Sequence, residues 1–271
     1  MGSAPRTVAG LVGAALIASA VQSTPLSAPA IALQGTVLQA TLADGTALAG
    51  RQLAGRHLLI PDGGDGLVAL RIDTVQEDSV VPGLHLYEML LQAPAGEWSN
   101  ICEPDKDGGR WAIPLGGSMT DDGRFEPDSQ KLTLTCTSGV VGKCLRAGYR
   151  FWTNGGSIDP RALQRFQACT RLFRADYCGD GQGWTADGTL IDVYDDEGVQ
   201  SPEPASTLQF EAGWSPAGAV CVHHTRVPEN IRLDELLRRC PRLAAASGQA
   251  CTEDHARRAG AILFNKSGMR R

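Results

Sequence analysis

One glycine-rich loop in the second half of the chain places three aspartates at spacings that could bind calcium. Its twelve residues read D-Y-C-G-D-G-Q-G-W-T-A-D, so Asp176, Asp180 and Asp187 occupy the first, fifth and twelfth positions. Calcium loops also need an oxygen ligand at the third position and usually a Glu at the twelfth. The third position here is Cys178, whose sulfur is a poor ligand for a hard cation. We therefore expect a tight turn in which Asp176 and Asp180 bond backbone amides, with calcium binding as the alternative.

A second cluster brings Cys221, His223 and His224 within four consecutive positions. A thiol beside two imidazoles could bind zinc or form a cysteine–histidine nucleophile. In a strand, alternate side chains face opposite sides, so His223 shares a face with Cys221 and His224 does not. A catalytic thiolate also needs a reduced cysteine, which an oxidised chain lacks. The remaining catalytic hypothesis is an acid–base pair formed by an aspartate of the loop, Asp176, Asp180 or Asp187, with His223 or His224.

Other signatures of catalytic or nucleotide-binding sites are missing from the sequence. It contains no Gly-x-Ser-x-Gly, no Gly-x-Gly-x-x-Gly, no phosphate-binding loop and no His-Glu-x-x-His pair. The formal net charge is −5, so the chain has no excess of basic residues to bind phosphates. Nucleic acid is therefore excluded as an expected partner. The five tryptophans are Trp98, Trp111, Trp152, Trp184 and Trp214. They could form a sugar-stacking platform, although packing in the core is the favoured interpretation.

Cysteine usage predicts a protein stabilised by disulfides. The eight cysteines are Cys102, Cys136, Cys144, Cys169, Cys178, Cys221, Cys240 and Cys251. An even number in an exported chain predicts four disulfides and no free thiol, although eight cysteines allow on the order of a hundred pairings. Short separations favour Cys136 with Cys144 and Cys169 with Cys178. A structural zinc site would need paired Cys-x-x-Cys spacings, which the chain lacks.

The start of the chain has the plan of a secretory signal peptide. Arg6 precedes an uncharged apolar run at residues 8–21, which ends in small residues. This run is too short to cross a bilayer, where about 20 residues are needed. Residues 1–20 are thus predicted to be cleaved after Ala20, or alternatively after Ala30. We expect a periplasmic or secreted protein with no membrane span after signal removal.

The rest of the chain predicts an α+β fold in which β structure dominates. Short apolar runs separated by Gly and Asp indicate antiparallel strands in residues 31–98, forming a small barrel or sandwich. Residues 99–260 form the cysteine-containing domain, continuous with that β region, and residues 261–271 form a flexible tail. Two or three helices are expected in the C-terminal half. They begin at Asp159-Pro160, at Asn230 and near Leu243.

Residues 175–178 read A-D-Y-C, and the surrounding residues 166–195 resemble the bacterial ADYC domain family, which takes its name from this tetrapeptide. Separate segments extend the resemblance over residues 67–230 in the same order, among them C-E-P-D from Cys102 and C-T-S-G-V-V-G-K-C from Cys136. The resemblance implies an exported protein with a shared fold, and it supplies no reaction. Trp184 departs from the family pattern, which has a polar residue, often histidine, before Thr185. That departure disfavours a catalytic role for the loop.

Together these features predict a noncatalytic, disulfide-stabilised recognition or structural module that binds an extracytoplasmic protein or glycan. The alternatives are an extracytoplasmic hydrolase that uses an Asp/His pair near the loop, with Asp176, Asp180 and His223 as candidates, and a calcium-binding loop at residues 176–187. No cofactor is expected, with calcium as the alternative.

Overall fold

The computed structural model of the protein describes residues 26–27, 31–41, 45–61, 66–153 and 156–268. The predicted signal peptide and both predicted cleavage sites, after Ala20 and Ala30, lie outside these residues. Within the described ranges, no helix is both long and apolar enough to span a membrane.

The described strands form three sheets. In chain order they are β1 (Leu26–Ser27), β2 (Ile31–Gln34), β3 (Val37–Thr41), β4 (Ala47–Ala49), β5 (Arg56–Pro61), β6 (Leu67–Glu77), β7 (His85–Gln92), β8 (Trp98–Asn100), β9 (Ala112–Met119), β10 (Phe125–Cys136), β11 (Leu190–Asp195), β12 (Gln209–Ser215), β13 (Gly218–Val222) and β14 (Leu263–Gly268). The largest sheet has the order β1-β5-β6-β7-β9-β10, with β8 paired to β7. The others have the orders β2-β3-β4 and β11-β14-β12-β13.

The helices lie mainly in the second half of the chain. They are α1 (Val140–Arg146), α2 (Pro160–Arg174), α3 (Leu233–Arg239) and α4 (Glu253–Arg258), with short 3₁₀ helices at Gly50–Leu53, Pro241–Ala246 and Gly248–Ala250. The predicted α+β class with antiparallel, β-rich architecture is confirmed. The described strands form open sheets, however, and do not close into the small barrel that was one of the two predicted forms.

The N-terminus of α2 follows the sequence signal closely. The carboxylate of Asp159 accepts hydrogen bonds from the amides of Arg161 (2.8 Å) and Ala162 (3.2 Å), and Pro160 occupies the first helical position. Asp satisfies amides that have no partner within the helix, and proline has no amide to lose there. The prediction of a helix starting at Asp159-Pro160 is therefore confirmed.

The later helices differ from their predicted bounds. The helix α3 begins at Leu233, because the side-chain amide of Asn230 does not cap it and instead donates to the carbonyl of Thr185 at 3.0 Å. The helix expected from Leu243 is divided into two 3₁₀ turns and α4. Thr252 starts α4 by accepting a hydrogen bond from the amide of His255 at 3.1 Å.

The helix α1 and the strand β14 have no counterpart in the sequence prediction. The helix α1 contains Gly142, where a Cβ would lie 2.2 Å from the carbonyl oxygen of Cys136, so only glycine lets α1 approach the end of β10 this closely. The strand β14 occupies most of the segment predicted as a flexible tail. Its Leu263 and Phe264 are fully buried, and their packing explains why this short polar segment forms a strand.

All eight cysteines form disulfides, but the pairs favoured by sequence proximity are wrong. The bonds are Cys102–Cys136, Cys144–Cys169, Cys178–Cys240 and Cys221–Cys251. Cys136 ends β10 and pairs with Cys102, which follows β8, whereas Cys144 lies in the core on α1 and pairs with Cys169 on the buried face of α2. Packing between elements that are distant in sequence decides both pairings.

Two large clusters of buried side chains form the main core. One lies among the strands of the first two sheets, where Leu38, Ile72, Tyr87 and Met89 are almost completely buried. The other packs α1, α2 and α3 against the four-stranded sheet and contains an aromatic group, in which the ring of Phe151 lies 5.1 Å from that of Phe125 and 4.9 Å from that of Phe166. This second cluster surrounds the A-D-Y-C segment.

All four tyrosines of the chain are buried, and we expect each of them to ionise at a higher pH than an exposed tyrosine does. Burial raises the pKa of Tyr87 from 10.0 to about 12, and it raises the pKa of Tyr149, Tyr177 and Tyr194 further, helped by nearby carboxylates. A raised pKa means that the folded state holds the proton more tightly than the unfolded state does. Stability is therefore unaffected below pH 10 and falls as the pH rises beyond it.

We expect an alkaline titration of the folded protein, followed by tyrosinate absorbance, to show no tyrosine ionising near pH 10. Ionisation should instead occur at higher pH and coincide with loss of circular dichroism. The same chain in denaturant is the control, where all four side chains should titrate near pH 10. Reversible ionisation of even one tyrosine near pH 10 in folded protein would contradict this burial.

Candidate functional site

The A-D-Y-C segment begins at the C-terminus of α2, with a residue in an unusual backbone conformation. Ala175 has a φ of 54°, the one positive φ found at a non-glycine residue in the described ranges. Its amide donates to the carbonyl of Leu172 (3.0 Å), and the amide of Asp176 donates to that of Arg171 (2.9 Å). This pattern closes the helix in the way that glycine usually does. Alanine costs about 1–2 kcal/mol of backbone strain here, and its methyl group is fully buried in the core.

The carboxylate of Asp176 organises the turn that follows. Its Oδ1 accepts hydrogen bonds from the amides of Gly179 (2.9 Å) and Asp180 (3.1 Å), and its Oδ2 accepts from the amide of Gly181 (3.0 Å). The guanidinium of Arg171 completes the set with an ion pair to Oδ2 at 2.5 Å. Both side chains are almost completely buried. A buried carboxylate is tolerable only with such complete pairing, which identifies Asp176 as the centre of the turn.

The turn is also held against the β12–β13 hairpin. The guanidinium of Arg242 donates to the carbonyls of Tyr177 (2.9 Å), Cys178 (3.1 Å) and Ala217 (3.0 Å). At Gly179, where φ is +76°, a Cβ would lie 2.1 Å from the carbonyl oxygen of Ala217. The turn and the hairpin are therefore in direct backbone contact, and only glycine fits between them.

Tyr177 links the turn to a second buried ion pair, which is formed by Glu211 and Arg226. Its hydroxyl donates to Glu211 Oε1 (3.0 Å) and accepts from the amide of Arg226 (2.7 Å). The guanidinium of Arg226 binds both carboxylate oxygens of Glu211, at 3.0 and 3.1 Å, and both side chains have no exposed surface. Arg226 also donates to the carbonyls of Leu172 (2.7 Å) and Phe173 (3.1 Å), which satisfies the C-terminus of α2.

Asn265 and Trp214 complete this network, and the sequence prediction placed Trp214 in the core but gave Asn265 no role. The amide of Asn265 donates to Glu211 Oε2 at 2.7 Å, and its oxygen accepts from the indole of Trp214 at 2.7 Å. The sequence signal for Glu211 was weak, since it is a single charged residue between the apolar Phe210 and Ala212, and Arg226 lies among polar residues and gave no signal. Asn265 gave none, because it lies in the segment predicted to be a flexible tail.

A first cavity, which we call the β14 cavity, opens beside this network and has a volume of about 730 Å³. Its polar lining consists of Thr207, Gln209, His224, Thr225 and Ser267. Its apolar lining consists of Leu190, Leu208 and Pro228, and Arg226 and Gly268 complete the wall. His224 Nε2 lies 3.3 Å from Ser267 Oγ. Burial lowers the pKa of His224 below 6.5, so its imidazole is neutral at pH 7.

A second cavity of about 720 Å³, which we call the α1 cavity, lies among residues 105–107, 137–147 and 185–191. Its charges are largely paired within the protein. Arg146 binds Asp78 (2.8 Å) and Asp105 (3.1 Å), and Thr137 donates to the same Asp105 oxygen at 2.8 Å. Burial opposes ionisation of Asp105, but these contacts and two backbone amides lower its pKa. Asp187 lies exposed on the rim of this cavity.

The side chains that the sequence suggested for catalysis and calcium binding have different hydrogen-bond partners in the structure. Asp176 is buried in its own turn, whereas Asp180 is exposed and accepts one hydrogen bond, from the amide of Gln182 at 3.0 Å. His223 Nδ1 faces the carbonyl of Cys251 at 3.2 Å, and His224 faces Ser267. Within the described residues, neither imidazole forms a hydrogen bond with Asp176, Asp180 or Asp187. In the part of the chain that the structure describes, no three His, Cys, Asp or Glu side chains are grouped to hold a metal ion.

The fold and this site define a disulfide-stabilised α+β domain organised around a buried, charged helix-terminating turn. The family model of the ADYC domain matches residues 50–228, which is more than half of the chain, and the protein belongs to the ADYC domain family. No curated protein and no solved structure matches the chain.

Proposed function

We propose that the protein is a noncatalytic recognition module of an extracytoplasmic compartment. In this proposal the A-D-Y-C segment stabilises the fold and takes no part in catalysis. This proposal rests on the hydrogen bonding and burial of the Asp176 carboxylate. Three backbone amides and the guanidinium of Arg171 already occupy it, and the side chain is fully buried. A general acid or base must contact substrate, and a calcium ligand must have free lone pairs, so this carboxylate is unsuited to either role.

The four disulfides support the proposed extracytoplasmic location. Four bonds that involve every cysteine in the chain are typical of proteins that mature in an oxidising environment. The apolar N-terminal run predicted from the sequence provides the route of export. In a periplasmic or secreted setting, the partner is an extracytoplasmic protein or glycan that binds at one of the two cavities.

One observation favours a second candidate function, hydrolysis. The contact of 3.3 Å between His224 Nε2 and Ser267 Oγ lies in the wall of the β14 cavity, and the imidazole is in its neutral form at pH 7. A neutral imidazole in contact with a serine hydroxyl can accept its proton during attack on an ester. This pair differs from the Asp/His pair considered from the sequence, whose members form no hydrogen bond with each other in the described residues.

A fluorophosphonate probe separates the two candidates, because it forms a covalent adduct with serines activated by a neighbouring base. For a noncatalytic module we expect intact-mass spectrometry to detect no adduct on the folded protein. A serine hydrolase treated in parallel confirms that the probe is active. A stoichiometric adduct that is lost in Ser267→Ala would replace the proposed function with the hydrolase.

A further inference from the structure

The polar groups lining the β14 cavity share one chemical property. The hydroxyls of Thr207, Thr225 and Ser267 each donate and accept hydrogen bonds, and so does the neutral imidazole of His224. Gln209 adds an amide with one acceptor and two donor hydrogens. Such a wall matches ligand groups that also donate and accept, which is the property of hydroxyls.

The lining offers no free charge to a ligand. Arg226 is the one lining residue of the β14 cavity that carries a formal charge in the described part of the chain. Its guanidinium donates to Glu211, to the carbonyls of Leu172 and Phe173, and to Thr185 Oγ1. These bonds use all of its N–H groups, and Glu211 neutralises its charge. A charged ligand would lose its hydration here without gaining a counter-ion, and that loss is costly.

The remaining lining is apolar, and the volume suits a small ligand. Leu190, Leu208 and Pro228 provide hydrocarbon surface. Ligand sites are mostly apolar clefts of roughly 300–1,000 Å³ with a few placed polar groups, and the β14 cavity of about 730 Å³ falls in that range. A sugar ring combines hydroxyls around its edge with C–H groups on its faces, so it can use both parts of this lining.

We infer that the β14 cavity binds an uncharged saccharide unit. This inference rests on the proposed function, because it names the ligand of the recognition module. The hydroxyl and amide side chains of Thr207, Gln209 and Ser267 bind the sugar hydroxyls, and the leucines contact a ring face.

The test is a titration of the folded protein with four neutral trisaccharides, followed by saturation-transfer NMR and calorimetry. The probes are cellotriose, maltotriose, mannotriose and the N-acetylglucosamine trimer. The comparators are trigalacturonate, which is anionic, and the glucosamine trimer, which is cationic. We expect at least one neutral probe to bind, and both charged comparators to bind about tenfold more weakly or not at all.

Variants at the cavity rim locate the binding site without disturbing the fold. Thr207 and Gln209 are exposed, so Thr207→Val and Gln209→Leu should fold normally. Each should weaken binding of the neutral probe about threefold to tenfold by removing one hydrogen bond. Gln130→Leu is the matched control, because Gln130 is an exposed strand residue in another sheet. It should leave the affinity unchanged.

Three outcomes would overturn the inference: no neutral probe binds, a charged comparator binds as tightly, or Gln209→Leu binds as well as the parent protein. Failure of the proposed function has a different signature. If the bound saccharide is cleaved, or if the fluorophosphonate labels Ser267, the module is catalytic, while the uncharged saccharide remains its ligand. Recovery of intact saccharide from an unlabelled protein supports both proposals.

Discussion

Replacing Arg226 by methionine is expected to lower the free energy of unfolding by about 3–5 kcal/mol, as measured by chemical denaturation. Methionine fills much of the same space but removes the guanidinium, so Glu211 remains buried without its counter-ion. The carbonyls of Leu172 and Phe173 at the end of α2 lose their donors as well. Removing one member of a buried ion pair costs far more than the pair contributes relative to an apolar replacement, because an uncompensated charge stays in the core.

The matched control is Arg238→Met, which removes the same side chain from an exposed pair. Arg238 contacts Asp234 at 3.0 Å, and both side chains are more than half exposed to solvent. We expect little change in stability there. The double variant Glu211→Gln/Arg226→Met should be destabilised by less than the sum of the two single changes, because they remove the same interaction. A change at Arg226 as small as that at Arg238 would show that the ion pair is not buried in solution.

Asp176→Asn is expected to be the second severe change, also by about 3–5 kcal/mol. The asparagine side chain keeps one acceptor oxygen, but its NH₂ group faces either a backbone N–H or Arg171, both of which are donors. Arg171 is then left almost completely buried without a counter-ion. Asp180→Asn is the control in the same loop. It should have little effect, because the exposed Asp180 accepts a single local hydrogen bond that an amide oxygen can replace.

The same two variants test the calcium alternative. We expect the melting temperature of the parent protein to be equal in calcium and in chelator, because the donors of its own chain already occupy the carboxylate of Asp176. A calcium-dependent rise in the parent protein that is lost in Asp180→Asn would contradict the architectural role of the turn. It would establish a cation site at residues 176–187.

Local signals explain which parts of the fold the sequence could predict. Asp159 and Pro160 act within one helical turn, so their pattern located the start of α2 correctly. The turn at Asp176 was also readable, because a short side chain beside several glycines bonds amides only a few positions away. Both features depend on neighbours in sequence.

The features that the sequence prediction missed depend on residues that are distant in sequence. Cys144 and Cys169 meet because α1 packs on α2, whereas proximity alone favoured wrong partners. The contact of Glu211 with Arg226 and Asn265 needs β12 and β14 to be adjacent, which no local pattern encodes. Ser267, in the wall of the β14 cavity, was overlooked for the same reason, since a short polar segment near the end of the described chain predicts a tail.

The position of β14 has a consequence for the order of folding. It is the last described strand in sequence, yet it lies between β11 and β12 in the four-stranded sheet. Until residues 263–268 have been synthesised and delivered, β11 has no neighbour and the carboxylate of Glu211 lacks Asn265. The four-stranded sheet therefore cannot form in full before this last strand inserts between β11 and β12. Completion of the buried hydrogen bonds around the Glu211–Arg226 ion pair is thus a late step in folding.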